Sequence, residues 1–350
     1  MNHNNKNTTA PHGSGIIGWV DYAKCMAIFL VVWLHVHSLP EISFVINAFV
    51  MPLFFIISGY LFSYERNPRY KPFVWKRTRQ LLFPYVWINI VAYLCWLTVL
   101  RHFGDDKGVY QWHQPLLGAL GGIPAWLSHD TPLWSLMSFY IVEIIYYPFR
   151  RAAGSAWVIA AGLAAMAAIA TLMPEAGGLL PLAAGPSMAG LVFFAIGNYC
   201  REHSLGSPEK MRLLRKPLTL LVLALIFGFS TFANTTVEFF ICRYGNIVLF
   251  LISSLSGSLF IIGLASVCSG IFKERRIIRF VSVGTLLICG FHLLVFAALK
   301  GIALFCFGIP PEELTGGLIK GLAFASSAFL LCLPLIYIIQ RYLPFLTDKK

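Results

Sequence analysis

Apolar residues along the chain gather into ten blocks of about membrane-spanning length, separated by polar punctuation. They cover roughly 17–38, 44–63, 81–100, 132–149, 155–173, 182–200, 217–234, 246–270, 280–299 and 317–340. Blocks this long predict helices, because a lipid-embedded backbone must satisfy its own N–H and C=O groups within the segment. The short alternating segments of an outer-membrane barrel do not occur in the sequence. The stretch 108–130 is interrupted by Gly118, Gly121, Gly122 and Pro124. It reads as an external loop with an interfacial or re-entrant segment, anchored by Trp112 and Trp126. Residues 301–315, with Pro310-Pro311 and Glu312-Glu313, read as a second external loop. The expected fold class is all-α: a polytopic integral membrane protein of about ten transmembrane helices. Its parts are a polar cytoplasmic tail (1–16), one membrane domain (17–343, with external loop 101–131) and a cytoplasmic tail (344–350).

Composition supports this class. Of 350 residues, 58% are hydrophobic and 12% charged, about half the charge fraction of a soluble protein. The net charge of +12 would suggest nucleic acid in a soluble chain, but its distribution indicates membrane topology. With the N-terminus in the cytoplasm, 21 of the 27 Lys and Arg residues fall on inner segments and five on outer ones. Lys24 is left inside a span. Both termini are therefore expected in the cytoplasm, with no nucleic-acid partner. The first fifteen residues lack the pattern of a cleaved signal, so the first span is expected to stay as an anchor. Eight cysteines without a C-x-x-C pair point to neither a disulfide framework nor a metal site.

The chemistry concentrates where ionisable residues interrupt the apolar blocks. Asp21, Lys24 and His35 lie on nearly one face of the first helix, with about 16 Å of axial rise between Lys24 and His35. The orientation puts Lys24 toward the cytoplasmic side and His35 near the external end. A cation at that depth suits an anionic cofactor, and a histidine suits general-base work on a hydroxyl. The competing reading is a snorkelling Asp–Lys pair with an interfacial histidine. In the second block, Pro52 predicts a kink and Ser58-Gly59 a close helix contact. Lys76, Arg77 and Arg79 form either an ordinary basic anchor or a phosphate clamp. Trp134 opens the fourth block, and Glu143 lies within it at about the depth of Lys24, predicting a Lys24–Glu143 pair. His292 sits in the outer half of the ninth block, nearer His35 than Lys24 in depth. It is read either as a hydrogen-bonded interhelical residue or as part of the site.

Four motifs occur in order: Asp-x-x-Lys with a histidine eleven residues after the lysine, Phe-Phe-x-x-Ser-Gly-Tyr-Leu-Phe, Lys-Arg-x-x-x-Leu-x-x-Pro-Tyr, and a late Thr-Leu-Leu-Ile-x-Gly-x-His. Together they resemble the membrane acyltransferase 3 family, in flavour its fucose 4-O-acetylase-like branch. The resemblance implies transfer of an acyl group, usually acetyl, from cytoplasmic acyl-CoA to a hydroxyl of a surface carbohydrate or its lipid-linked precursor. It places the family's paired cation and histidine on Lys24 and His35, with lysine where many members carry arginine. Its basic motif falls on Lys76, Arg77 and Arg79. The expected roles are His35, with Lys24 and Asp21, for catalysis; Lys24, Lys76, Arg77 and Arg79 for acetyl-CoA; and Ser58, Glu143, His292 and Trp134 in support. No metal is expected. The expected partners are acyl-CoA, a carbohydrate or lipid-linked glycan acceptor and membrane lipid, in the cytoplasmic (inner) membrane. Homo-oligomers and glycan-assembly partners are left open, as is a covalent acyl-histidine step. A transporter or flippase of a glycan, lipid-linked sugar or acyl group is the rival from another class. A non-catalytic scaffold leaves the polar stripe of the first helix unexplained.

Overall fold

Each apolar block becomes helix in the computed structural model, which describes residues 18–36, 39–103, 110–172, 176–273 and 275–347. The principal helices are α1 (Gly18–Leu34), α2 (Pro40–Asn47), α3 (Val50–Leu61), α4 (Tyr70–Arg77), α5 (Phe83–Cys95), α6 (His113–Gly121) and α7 (Trp134–Ala153). They continue with α8 (Ser155–Leu172), α9 (Ala184–Glu202), α10 (Pro208–Leu214), α11 (Pro217–Phe232), α12 (Ile247–Phe272), α13 (Arg276–Phe307), α14 (Pro311–Thr315) and α15 (Leu318–Tyr342). No strand occurs among the described residues, only an isolated bridge between Glu238 and Arg243.

Six helical segments are long and apolar enough to cross a membrane: Pro40–Leu61, Tyr70–Phe103, Pro181–Glu202, Ile247–Phe272, Arg276–Phe307 and Leu318–Tyr342. A seventh arises if α10 and α11, bent by 63°, count as one span. This is fewer than the expected ten, for local reasons. Among the described residues α1 has only 17 residues. α7 carries Glu143, Arg150 and Arg151. Among the described residues the apolar helix counted within α8 is the short Ala156–Ile169. The two terminal tails, apart from residues 344–347, lie outside the described residues.

α1 sits centrally, packed against α3, α12, α13 and α15. Its small Ala23 and Ala27, one turn apart and fully buried, let neighbouring helices approach. α3 and α9 pack still closer. A Cβ on Gly59 would collide with the Phe194 carbonyl, and one on Gly197 with that of Ile56. The Ser58-Gly59 pair therefore serves the close contact its composition predicts. The proline effect is displaced from its expected place. Pro52 lies in the first turn of α3 and cannot donate to Ala48 O, so the chain breaks at Ala48–Phe49 between α2 and α3. Ser254 of α12 donates to that freed carbonyl at 2.8 Å. Pro84 has a related effect. Ahead of it the helix widens into a π-turn at Thr78–Leu82, where Phe83 N–H reaches back to Thr78 O.

Candidate active site

A single cavity of about 1270 Å³ runs beside α1 and takes both Lys24 and His35 into its wall. α3 contributes Met51, Phe54 and Ser58; α7 contributes Trp134, Ser135 and Glu143; α13 contributes Ser282 and Cys289. Lys76 and Arg77 enter from α4, and Arg66 from the preceding loop. Lys24 and His35, legible as a stripe on one helix, thus lie on the wall of one cavity.

The Lys24 end is strongly cationic. Lys24, Arg66, Lys76 and Arg77 all line it. Among the described residues, Lys24 Nζ has no hydrogen-bond partner, so its ammonium is available to the cavity. Asp21 lies one turn back and off the cavity wall, where its carboxylate accepts from Ser282 Oγ at 2.6 Å. Glu143 is 3% exposed and forms an ion pair with the Arg77 guanidinium. It also accepts from Ser58 Oγ at 3.2 Å. The expected Lys24–Glu143 pair is therefore replaced by Arg77–Glu143. Similar depth in two helices does not fix their mutual rotation, and Arg77, at the edge of the π-turn, spans the gap. Arg77 is further held by Gln80 Oε1 at 2.9 Å and by the Phe73 ring, 5.5 Å from its guanidinium carbon. Lys76 Nζ donates to Asn67 Oδ1 at 3.4 Å. Arg79 lies off the cavity, stacked on Trp75 at 5.9 Å. Side chains two positions apart on a helix diverge by about 200°, so Arg77 and Arg79 cannot share one face.

At the other end, His35 Nδ1 donates to Val31 O at 2.7 Å. In the neutral ring this leaves Nε2 as the basic nitrogen. His292 stands directly behind, its ring edge-on to that of His35 at 5.0 Å. It is fully buried and off the cavity wall. Its Nδ1 donates to Ile288 O at 3.0 Å, while Nε2 has no partner among the described residues. Trp134 stacks on Phe239, centroids 5.8 Å apart. Ser135 Oγ is turned into the backbone, donating to Pro132 O at 2.8 Å.

Several residues at the site escape sequence reasoning. Glu41 and Glu238 line the His35 end, although on the sequence they are ordinary loop acids. His129 and Asp130 lie in the segment leading to the Thr131–Trp134 wall and are both buried. His129 Nε2 donates to Asn89 Oδ1 at 2.9 Å, and burial pushes its pKa down to about 4. Burial holds the Asp130 carboxyl well above the usual range. The signal in sequence is a polar Ser-His-Asp-Thr run directly before Pro132, which a loop assignment absorbs without notice. No cluster of three metal-ligating side chains occurs among the described residues.

Of the ten residues singled out on the sequence, Lys24, His35, Ser58, Lys76, Arg77, Trp134 and Glu143 share the cavity. Asp21 and His292 stand behind its wall, each touching a residue that lines it. The arrangement puts a histidine and a group of cations on the wall of one cavity. The sequence profile of an acyltransferase domain family matches residues 17–341. No curated protein and no solved structure matches the chain.

Proposed function

The chain belongs to the acyltransferase 3 family, and from that premise we propose that it is an O-acyltransferase taking acetyl from acetyl-CoA to a carbohydrate hydroxyl. The observation that carries this reading is the one cavity that joins Lys24, Lys76 and Arg77 to His35. Phosphates of a coenzyme A donor suit Lys24, Arg66, Lys76 and Arg77, because these cations line one cavity and Lys24 Nζ makes no hydrogen bond to the protein among the described residues. The donor's long, largely uncharged arm suits the apolar middle formed by Met51, Phe54 and Leu286. The acceptor enters from the His35 end. His35 Nε2 takes the hydroxyl proton as the oxygen bonds to the acyl carbon. The carbon–sulfur bond then breaks, and the same proton passes from His35 to the departing thiolate. His292 packs behind His35 and keeps its ring oriented.

The distribution of Lys and Arg supports ten spans with both termini in the cytoplasm, and so a cytoplasmic Lys24 end and an external His35 end. In that orientation the protein sits in the cytoplasmic (inner) membrane. Motif order supports the fucose 4-O-acetylase-like branch. A transporter reading would use the same cavity as a passage without bond chemistry, and one experiment separates the two. Purified protein in nanodiscs, given acetyl-radiolabelled acetyl-CoA and an acceptor glycan, should release CoA and label the glycan. His35→Ala should lower that rate by about 10²–10⁴-fold, the usual contribution of a general base. A folded His35→Ala protein that transfers acetyl at the wild-type rate would overturn the mechanism.

A further inference from the structure

The two ends of the cavity differ in chemistry, and the difference defines the acceptor; this inference rests on the acyltransferase reading. The Lys24 end has four cations against one carboxylate, Glu143. The His35 end has Glu41, Asn47 and Glu238 among Trp134, Phe239 and Phe240. Among the described lining residues at that end there is no lysine or arginine.

Glu41 is held near His35 by the chain, and Glu238 is fixed within its own turn on the same cavity wall. Glu41 follows His35 by six residues, and Ser43 Oγ donates to Leu34 O at 3.4 Å, fastening the start of α2 to the end of α1. Glu238 sits in a rigid turn. Its backbone exchanges both hydrogen bonds with Arg243, at 2.8 and 3.1 Å, and its carboxylate accepts from Arg243 Nη1 at 2.6 Å. The next residue, Phe239, stacks on Trp134. The site therefore offers flat aromatic surface beside preorganised carboxylate and amide groups. A pyranose needs the same pairing, since its C–H face is apolar and its hydroxyls donate hydrogen bonds. A uronate or a sugar phosphate would bring its charge against Glu41, and against a Glu238 whose presence neutralises Arg243.

We propose that the His35 end of the cavity binds an uncharged pyranose, and that Glu41 and Glu238 exclude uronates and sugar phosphates there. Removing the Glu238 carboxylate takes one of the two carboxylates away from the cavity wall, so Glu238→Gln should weaken the exclusion.

The test uses the full chain in phosphatidylcholine nanodiscs without donor. Saturation-transfer NMR compares methyl glucoside, galactoside and mannoside with the corresponding methyl uronides. The neutral glycosides should bind about tenfold tighter than their uronides, a ratio of the order expected for one like charge at a partly solvated site. In Glu238→Gln and in Glu41→Gln the ratio should fall, to about twofold or less when both are combined. Glu238→Asp, which keeps the charge, should preserve it and controls for misfolding. Equal or tighter uronide binding by the wild type would overturn the proposal, as would no glycoside binding at all. Acetyl-CoA consumption with the same glycosides is measured separately. If discrimination holds while no acetyl is transferred to any glycoside, it is the acyltransferase reading that fails.

Discussion

At the residue scale, the buried Arg77–Glu143 pair gives an asymmetric expectation. Glu143 is almost wholly enclosed at 3% exposure, whereas the Arg77 side chain keeps 23% and faces the cavity. Removing Glu143 leaves a cation that water in the cavity can solvate. Removing Arg77 leaves an enclosed carboxylate with only Ser58 Oγ to satisfy it. Breaking a buried pair costs about 3–5 kcal/mol when the remaining charge stays dry, and much less when it rehydrates. Arg77→Ala should therefore lower thermal stability in detergent several degrees more than Glu143→Ala, and Arg77→Ala/Glu143→Gln should recover part of the loss. Equal losses in the two single variants would mean that both charges are equally shielded. The pair also shows what a sequence conceals at this scale. Lys24 and His35 stood out because an ionisable group in an apolar run is costly and seldom idle. Arg77 was singled out as a phosphate ligand but not as the partner of Glu143, because a cation beside a span already has a sufficient reason in topology. Glu143 was recognised as needing a partner, but depth along a helix identifies candidates without saying which one faces it.

At the element scale, the fold depends on a few points where helices touch backbone to backbone. Gly59 of α3 lies against Phe194 O of α9, and Gly197 of α9 against Ile56 O of α3. A methyl group at either position meets backbone, which cannot rotate away, so the helices must separate. Overpacking of this kind costs about 1–3 kcal/mol. Because Ser58 precedes Gly59 on the cavity wall, the displacement would also reach the Glu143 site. Gly59→Ala should accordingly reduce both the yield of folded protein, read by size-exclusion chromatography, and transfer activity. Gly301→Ala in α13, where an added Cβ meets nothing within 4 Å, should leave both unchanged. The small-residue contact was readable in sequence, because Ser-Gly in a span has few other uses. The break at Ala48–Phe49 and the π-turn at Thr78–Leu82 were not. Each arises one turn or more before a proline, where a carbonyl that the proline cannot satisfy finds another donor or the register slips.

At the scale of the whole molecule, the cations that set the expected orientation also line one end of the cavity, so the proposed orientation and the proposed donor site stand or fall together. The loops counted as inner on the sequence supply Arg66, Lys76 and Arg77 to the Lys24 end. The segments counted as outer supply Glu41, Thr236 and Glu238 to the His35 end. A donor made in the cytoplasm and an acceptor assembled outside would each meet matching chemistry in one orientation only. The opposite orientation would put the cations proposed to hold the donor's phosphates on the face that lacks acyl-CoA. That makes topology a mechanistic quantity, measurable on a cysteine-free background with a membrane-impermeant maleimide. Glu312→Cys, on α14 between α13 and α15, should label in intact cells. Arg212→Cys, on α10, and Lys76→Cys, at the cationic mouth, should label only after the membrane is opened. A saturating concentration of CoA should then slow labelling at position 76 and leave position 212 unaffected, because only the former lines the cavity. Labelling of Lys76→Cys in intact cells would reverse the orientation and, with it, the assignment of donor and acceptor to the two ends.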